Sequence, residues 1–92
     1  MIQSFADEDA QAVFLTGTNR RCTNIARVAA RRLQAVDFAS AIEDLRNSPG
    51  NRLEKLKGDR EGWWSIRINE QFRMCFRWDG TDAWEVEIVD YR

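Results

Sequence analysis

The fold is decided by residues 63–89, which read WWSIRINEQFRMCFRWDGTDAWEVEIV. Apolar and polar side chains alternate along this stretch with a period of two, which is typical of antiparallel strands that bury one face. Two polar clusters, residues 69–71 (NEQ) and 79–82 (DGTD), interrupt the alternation and predict hairpin turns. The stretch therefore predicts three consecutive antiparallel strands.

The alternation also predicts which side chains reach the core. The predicted buried face carries Trp64, Ile66, Ile68, Phe72, Met74, Phe76, Trp78, Trp84, Val86 and Ile88. The opposite face carries Arg67, Arg73 and Arg77 beside Glu85 and Glu87. Guanidinium groups bind phosphates through paired hydrogen bonds. Cross-strand ion pairs are the more ordinary reason for opposite charges on a solvated sheet face, so the pattern leaves both interpretations open.

The first half of the chain has helical spacing. Acidic residues at positions 7–9 and a glycine at position 17 predict a first helix between them. Apolar residues at helical spacing predict a longer helix over residues 23–36, and a short third helix follows near Leu45. We expect a single α+β domain over residues 1–92, with the helices packed on the apolar face of the sheet.

The charge balance argues against a generally basic nucleic-acid binder. The chain has 14 Lys and Arg against 15 Asp and Glu, a formal net charge of −1. Any RNA contact must therefore depend on local placement of charge. Arg20, Arg27 and Arg31 line one side of the second predicted helix. That side is either an ordinary solvated face or a docking surface for RNA or an acidic partner.

The residue types present exclude several kinds of site. The chain has no histidine, the commonest general acid or base and the commonest metal ligand. Its cysteines, Cys22 and Cys75, form no CxxC pair, so we expect neither a metal nor a cofactor. The first residues lack a signal-peptide pattern, and no run of 18 apolar residues occurs. We expect a cytoplasmic protein without membrane contact.

The polar sheet face nevertheless carries groups that suit RNA cleavage. Tyr91 shares the alternation of Glu85 and Glu87, which predicts that it projects from the same face as the arginines. Arginines can stabilise the extra negative charge on a phosphorus under attack, and a tyrosine can donate a proton. A ribonuclease that works without a metal needs both functions.

Four segments resemble one family. They are residues 1–5 (MIQSF), 56–66 (LKGDREGWWSI), 69–76 (NEQFRMCF) and 89–92 (VDYR). In order and spacing they are similar to the HigB-type toxins of the RelE/ParE superfamily, which belong to type II toxin-antitoxin systems. The resemblance covers essentially the whole chain. It implies a small twisted antiparallel sheet with two to three helices packed on one face.

The resemblance also implies an activity and partners. HigB-type toxins are ribosome-dependent endoribonucleases, or mRNA interferases, that cleave messenger RNA by 2′-OH attack without a metal and so inhibit translation and growth. The implied partners are the ribosome, messenger RNA and a HigA-like antitoxin with a helix-turn-helix fold. Operator DNA would be reached only through that antitoxin.

Site residues follow from the same resemblance. Arg73 would hold the scissile phosphate, Lys57 and Arg60 would approach the RNA backbone, and Asp90 and Tyr91 would orient or protonate groups at the cut. Arg67, Arg20, Arg27 and Arg31 are further candidates for RNA contact.

Two positions depart from the family pattern. HigB-type toxins often end in histidine where this chain has Arg92, and some carry histidine in place of Glu54. Arginine stays protonated, so Arg92 can bind phosphate or stabilise charge but cannot shuttle a proton. Glu54, Tyr91 and Lys57 remain as proton carriers. An alternative is therefore a catalytically weakened toxin fold that acts mainly as an antitoxin-binding module.

Overall fold

The computed structural model describes residues 1–20, 23–58 and 61–90 of the 92-residue chain. Their elements, in chain order, are α1 (Glu8–Thr16), α2 (Ala26–Phe38), α3 (Ile42–Arg46), a 3₁₀ turn (Pro49–Asn51), β1 (Glu54–Lys55), β2 (Trp63–Arg67), β3 (Phe72–Trp78) and β4 (Ala83–Asp90). The predicted α+β class is confirmed. Helix α2 begins three residues later and ends two residues later than its apolar spacing predicts.

The strands form a sheet in the order β1-β2-β3-β4, and each neighbouring pair is antiparallel. Side-chain oxygens hold both predicted turns. Asn69 Oδ1 accepts hydrogen bonds from the backbone N–H groups of Gln71 and Phe72, both at 2.8 Å. Asp79 Oδ1 accepts from the N–H of Asp82 at 2.7 Å. Asn and Asp favour turns because their short side chains replace the missing backbone acceptor.

The helices cover one face of the sheet. Leu33 and Val36 of α2 are fully buried and belong to the same apolar cluster as Ile66, Met74 and Phe76 of the strands. These strand residues alternate along β2 and β3, as the sequence predicts. The other face of the sheet, which we call the outer face, therefore carries the residues between them.

One predicted core residue is wrong. Trp84 lies opposite Arg77 on the outer face, and Ala83 takes the fully buried position beside it. The cause is a register shift between Cys75 and Arg77, which adds one residue to β4 and reverses the alternation beyond that point. Glu85 lies at this bulge with φ of 53°. A left-handed backbone at a residue other than glycine costs about 1–3 kcal/mol.

The first residues join the edge of the sheet instead of forming a full strand. Ile2 and Phe5 make isolated parallel bridges to Ala83 and Val86. In the described ranges no helix is long and apolar enough to cross a membrane.

One carboxylate ties the start of α1 to the last strand. Asp7 Oδ1 accepts from the backbone N–H of Asp9 at 2.9 Å, which caps the helix. Asp7 Oδ2 accepts from the N–H of Ile88 at 3.1 Å. Each carboxylate oxygen thus serves a different element.

We expect Asp7→Ala to lower the free energy of unfolding by about 1–3 kcal/mol, because both hydrogen bonds are lost at once. Urea denaturation measures this change. Glu8→Ala is the matched control, since Glu8 is an exposed acid in the first turn of α1 and should shift stability by less than about 0.5 kcal/mol. Equal losses in the two variants would contradict the proposed link.

Candidate functional site on the outer face

Strand register arranges the outer face in three rows across the sheet. The rows are Trp63–Arg77–Trp84, then Glu54–Ser65–Cys75–Glu87, then Arg67–Arg73–Val89. In the middle row Ser65 is 0% and Cys75 2% exposed, because these short side chains lie below the longer ones on either side. The outer face therefore has arginines at both ends, and the row between them has two buried central side chains flanked by Glu54 and Glu87.

Arg73 is the most firmly held cation of this face. Its Nε donates to Ser65 Oγ at 2.9 Å, and its Nη2 donates to the backbone oxygens of Arg52 at 2.8 Å and Ser65 at 3.4 Å. The side chain is only 12% exposed. These three acceptors are neutral oxygens, and together they fix the orientation of the guanidinium. Such a group is suited to binding an anion in a defined position.

Sequence reasoning missed both groups that hold Arg73. The alternation along β2 does place Ser65 on the same face as Arg67, which is the sequence signal that could have found it. The acceptor on Arg52 is a backbone oxygen, for which the sequence carries no signal. Arg52 also has a positive φ of 44°, in the segment between the 3₁₀ turn and β1.

Glu54 lies next to Arg73. Its Oε2 is 4.0 Å from Arg73 Nη2, and its side chain is 62% exposed. A carboxylate this exposed and this distant neutralises its partner only weakly. The structure thus brings together a guanidinium held in place by hydrogen bonds and an exposed carboxylate.

Positive charge concentrates at the same end of the sheet. Arg67 lies directly across from Arg73, and its backbone oxygen accepts from Arg32 Nε at 3.0 Å. The pKa of Arg32 is lowered, first by burial and then by the charges of Arg31 and Arg67. The two smaller causes indicate that the charges of Arg31 and Arg67 lie near Arg32, where α2 meets β2.

Lys57 lies in the segment after β1, fully accessible to solvent. It borders a cleft of about 370 Å³ that is also lined by Lys55, Leu56, Gly58 and Glu61. Arg60 lies outside the described residues, so its predicted contact with the RNA backbone stays a prediction.

Asp90 ends β4 opposite Phe72, one position beyond the Arg73–Val89 pair. Its Oδ2 accepts from Gln71 Nε2 at 3.0 Å. Tyr91 and Arg92 lie outside the described residues, and their predicted roles stay predictions.

The structure does not bring the predicted helical arginines to this site. Arg27 and Arg31 are exposed on α2, which packs on the opposite face of the sheet, and Arg20 lies in the segment before it. Any RNA contact by these three residues would use a second surface, not the outer face. Among the described residues no group of three His, Cys, Asp or Glu side chains could hold a metal ion.

The far end of the outer face is aromatic. The guanidinium carbon of Arg77 is 5.5 Å from the ring centre of Trp84, and Arg77 Nε is 3.3 Å from Glu85 Oε2. The ion-pair interpretation of the sheet face therefore holds for Arg77. Trp84 Nε1 donates to Asp79 Oδ2 at 2.8 Å, which fixes the indole ring from the turn.

Known proteins were compared with the chain. A family model described as the RelE-like toxin of the type II toxin-antitoxin system HigB matches residues 3–92. A protein of Proteus vulgaris named endoribonuclease HigB is 36% identical over 93 residues, which cover 99% of each chain. Toxin HigB-1 of Vibrio cholerae is 52% identical over 52 residues, 55% of each chain. The latter alignment thus spans about half the length of that relative.

Solved structures share the fold at low identity. The YoeB-YefM complex from Staphylococcus aureus gives a TM-score of 0.61 with 18% identity, over 100% of this chain and 98% of the other. The YoeB dimer from the same organism gives 0.60 with 21% identity, over 99% and 97%. The predicted arrangement of a small antiparallel sheet with helices on one face is confirmed.

The turn that anchors Trp84 makes a pH-dependent contribution to stability. The pKa of Asp79 lies well below its usual range because the N–H groups of Asp82 and Thr81, followed by the Trp84 indole, donate to the carboxylate. Because the pKa of Asp79 is lower in the folded state, the ionised carboxylate stabilises the fold at pH values above its unfolded-state pKa of about 3.9. That contribution is lost as pH falls through the folded-state value.

We expect Asp79→Asn to be less stable than wild type near neutral pH, with a difference that shrinks as pH falls below about 4. Urea denaturation over a pH series measures it. Glu70→Gln, which removes an exposed acid from the other hairpin turn, should show no such convergence. A difference for Asp79→Asn that is constant or grows in acid would contradict the assignment.

Proposed function

Because this chain belongs to the HigB-like family of RelE-like toxins, we propose that it cleaves messenger RNA on the ribosome and so inhibits translation and growth. The observation that carries the proposal is Arg73, a guanidinium held by neutral oxygens on the outer face. A relative that aligns over 99% of the chain is named an endoribonuclease, which supports the same reaction class.

The proposed reaction is an internal transfer at one phosphodiester. The 2′-oxygen attacks the adjacent phosphorus, the bond from phosphorus to the 5′-oxygen breaks, and a 2′,3′-cyclic phosphate and a 5′-hydroxyl result. One group must accept the 2′-OH proton and another must protonate the leaving oxygen. The reaction itself requires no metal, because positioned cations can stabilise the charge that develops on the phosphate.

The described residues can fill these roles. Arg73 binds the phosphate and stabilises its added charge, and Arg67 raises the local positive potential. Glu54 is close enough to Arg73 to accept the 2′-OH proton. Lys57 and Tyr91 are the other proton carriers, and Asp90 and Arg92 orient groups or bind phosphate beside them. Lys57 and Arg60, with Arg20, Arg27 and Arg31 on the second surface, contact RNA backbone.

The proposed partner is a protein antitoxin. The family is defined as one half of a toxin-antitoxin system, and a toxin of the same fold was solved as a complex with YefM. We propose a HigA-like antitoxin with a helix-turn-helix fold, through which alone the toxin would reach operator DNA. The activity belongs in the cytoplasm, where ribosomes and messenger RNA meet.

A second candidate function follows from the missing histidines. The chain has none, and Glu54 and Arg92 stand where HigB-type toxins often carry them. A positioned acid or base is worth about 10²–10⁴-fold in rate. The chain would then keep the fold and the antitoxin contact while cleaving RNA slowly, and it would act mainly as a binding module.

Expression of the chain alone in a bacterium should arrest growth, and Arg73→Ala should abolish the arrest. The expected loss of cleavage rate is about 10²–10³-fold, typical of removing one donor that stabilises a transition state. Arg46→Ala is the matched control, since Arg46 is exposed on α3 and away from the outer face. Three results together would favour the binding module. Cells that express the wild-type chain would grow normally, primer extension in a translating extract would find no new RNA ends, and the chain would still bind its antitoxin.

Arg92→His should increase toxicity, because it restores a proton carrier that titrates near neutral pH. The measurement is the rate of primer-extension product formation at equal protein concentration. Glu70→His is the control, since it places a histidine on an exposed hairpin turn. An unchanged or lower rate for Arg92→His would show that Arg92 serves the reaction as a cation.

A further inference from the structure

We propose that the row Trp63–Arg77–Trp84, which we call the aromatic row, is a stacking site for an unpaired RNA base close to the cut. The inference rests on the proposed function and adds a second subsite to it. Arg73 would hold the phosphate at one end of the outer face, and Trp84 would hold a base at the other.

The register brings the three side chains into one line. Trp63 is the cross-strand partner of Arg77, and Arg77 is the partner of Trp84. Directly opposite residues lie about 5 Å apart, so the side chains are adjacent. All three are partly exposed. Indole rings beside an arginine are the side chains on which single-stranded nucleic acid stacks in proteins without sequence preference.

The bulge gives Glu85 a left-handed backbone conformation, and it changes the face of the sheet from which Trp84 projects. Uninterrupted alternation would bury this indole, whereas the bulge buries Ala83 and turns Trp84 to the outer face. Bulges that re-aim a side chain are frequent next to active sites. The position of Trp84 is therefore a feature that core packing does not require.

The indole is also fixed before any ligand arrives. Its Nε1 donates to Asp79 Oδ2 at 2.8 Å, and Asp79 Oδ1 is held by the N–H groups of Thr81 and Asp82. The hydrogen bond is made at the edge of the indole ring, so the turn fixes the orientation of the ring plane without covering a face of the ring. A ring that is already oriented loses little entropy when a base stacks on it.

The local charges select a base over a phosphate. Glu85 is paired with Arg77, and Asp79 borders Trp84, so two carboxylates surround this end of the outer face. Phosphate would be repelled here, while the uncharged face of a base would not. At the other end, Arg67 and Arg73 have the opposite preference.

The two ends are close enough to share one RNA strand. Arg77 follows Arg73 by four residues on β3, which is about 13 Å at roughly 3.3 Å per residue. Ser65 and Cys75, the short side chains of the row between them, are buried and do not project between the two ends. A strand with its scissile phosphate at Arg73 can therefore place a neighbouring base on the aromatic row.

The test is equilibrium binding of an uncleavable single-stranded oligonucleotide, with 2′-O-methyl riboses, measured by fluorescence anisotropy on the full chain. We expect Trp84→Leu to weaken binding of the oligonucleotide about 5- to 150-fold, which is the usual effect of removing an aromatic ring on which a base stacks. Leucine keeps apolar bulk but has no aromatic face. Trp64→Leu is the matched control, since Trp64 is a partly exposed tryptophan on β2 that packs on the opposite face of the sheet. It should bind like wild type.

A set of oligonucleotides, each with one abasic position, tests the same contact without changing the protein. With wild type, one abasic position should weaken binding by the same factor as Trp84→Leu. With Trp84→Leu, that position should cause no further loss. Trp84→Phe, which keeps a ring, should retain most of the affinity. Thermal unfolding of each variant separates lost binding from lost folding.

Three results would overturn the inference. In the first, Trp84→Leu folds and binds RNA like wild type. In the second, every abasic position weakens RNA binding by Trp84→Leu as much as it weakens binding by wild type. In the third, Trp84→Leu loses antitoxin binding but keeps RNA binding. The last would assign the aromatic row to the protein partner. If RNA cleavage depends on Arg73 but not on Trp84, only this inference fails. If the wild-type chain neither cleaves nor binds RNA, the proposed function fails with it.

Discussion

Met74 and Phe76 are fully buried in the same cluster as Leu33 and Val36 of α2, and this contact decides which way the rest of β3 faces. Because side chains alternate along a strand, Arg73 and the residues that share its parity must point away from the helices. The pairing of β2 and β4 with β3 then places their side chains in rows on the same face. The arrangement of the candidate site is thus a consequence of burying the other face.

Two arginines of β3 differ in what holds them, and the difference predicts different roles. Arg73 is 12% exposed, donates to oxygens of Ser65 and Arg52, and lies 4.0 Å from the exposed carboxylate of Glu54. Arg77 is 41% exposed, is paired with Glu85 and lies against the Trp84 ring. The first suits a phosphate under attack, and the second suits a surface on which an uncharged base can stack. The two proposed RNA contacts would therefore use a single strand.

Much of the fold follows from the sequence because period-two alternation and turn residues act locally. Strands β2, β3 and β4, both hairpin turns and the buried face of β2 and β3 could be predicted in this way, whereas the two-residue strand β1 was not predicted. Trp84 could not, because one extra residue at Glu85 reverses the alternation, and no residue type marks that bulge. Ser65 and the Arg52 carbonyl were missed as partners of Arg73, since such contacts depend on how distant segments meet. Whether the exposed arginines of α2 are a solvated face or a docking surface also could not be predicted, because a charged helix face has the same spacing in both cases.

The central claim is that the outer face around Arg73 cleaves RNA by attack of the 2′-oxygen. The most direct test is the chemistry of the RNA ends that form when the chain is expressed. The account predicts fragments with 5′-hydroxyl and 2′,3′-cyclic phosphate ends that are present with wild type and absent with Arg73→Ala. Fragments with 5′-phosphate ends, or ends of either kind that persist in Arg73→Ala, would contradict it.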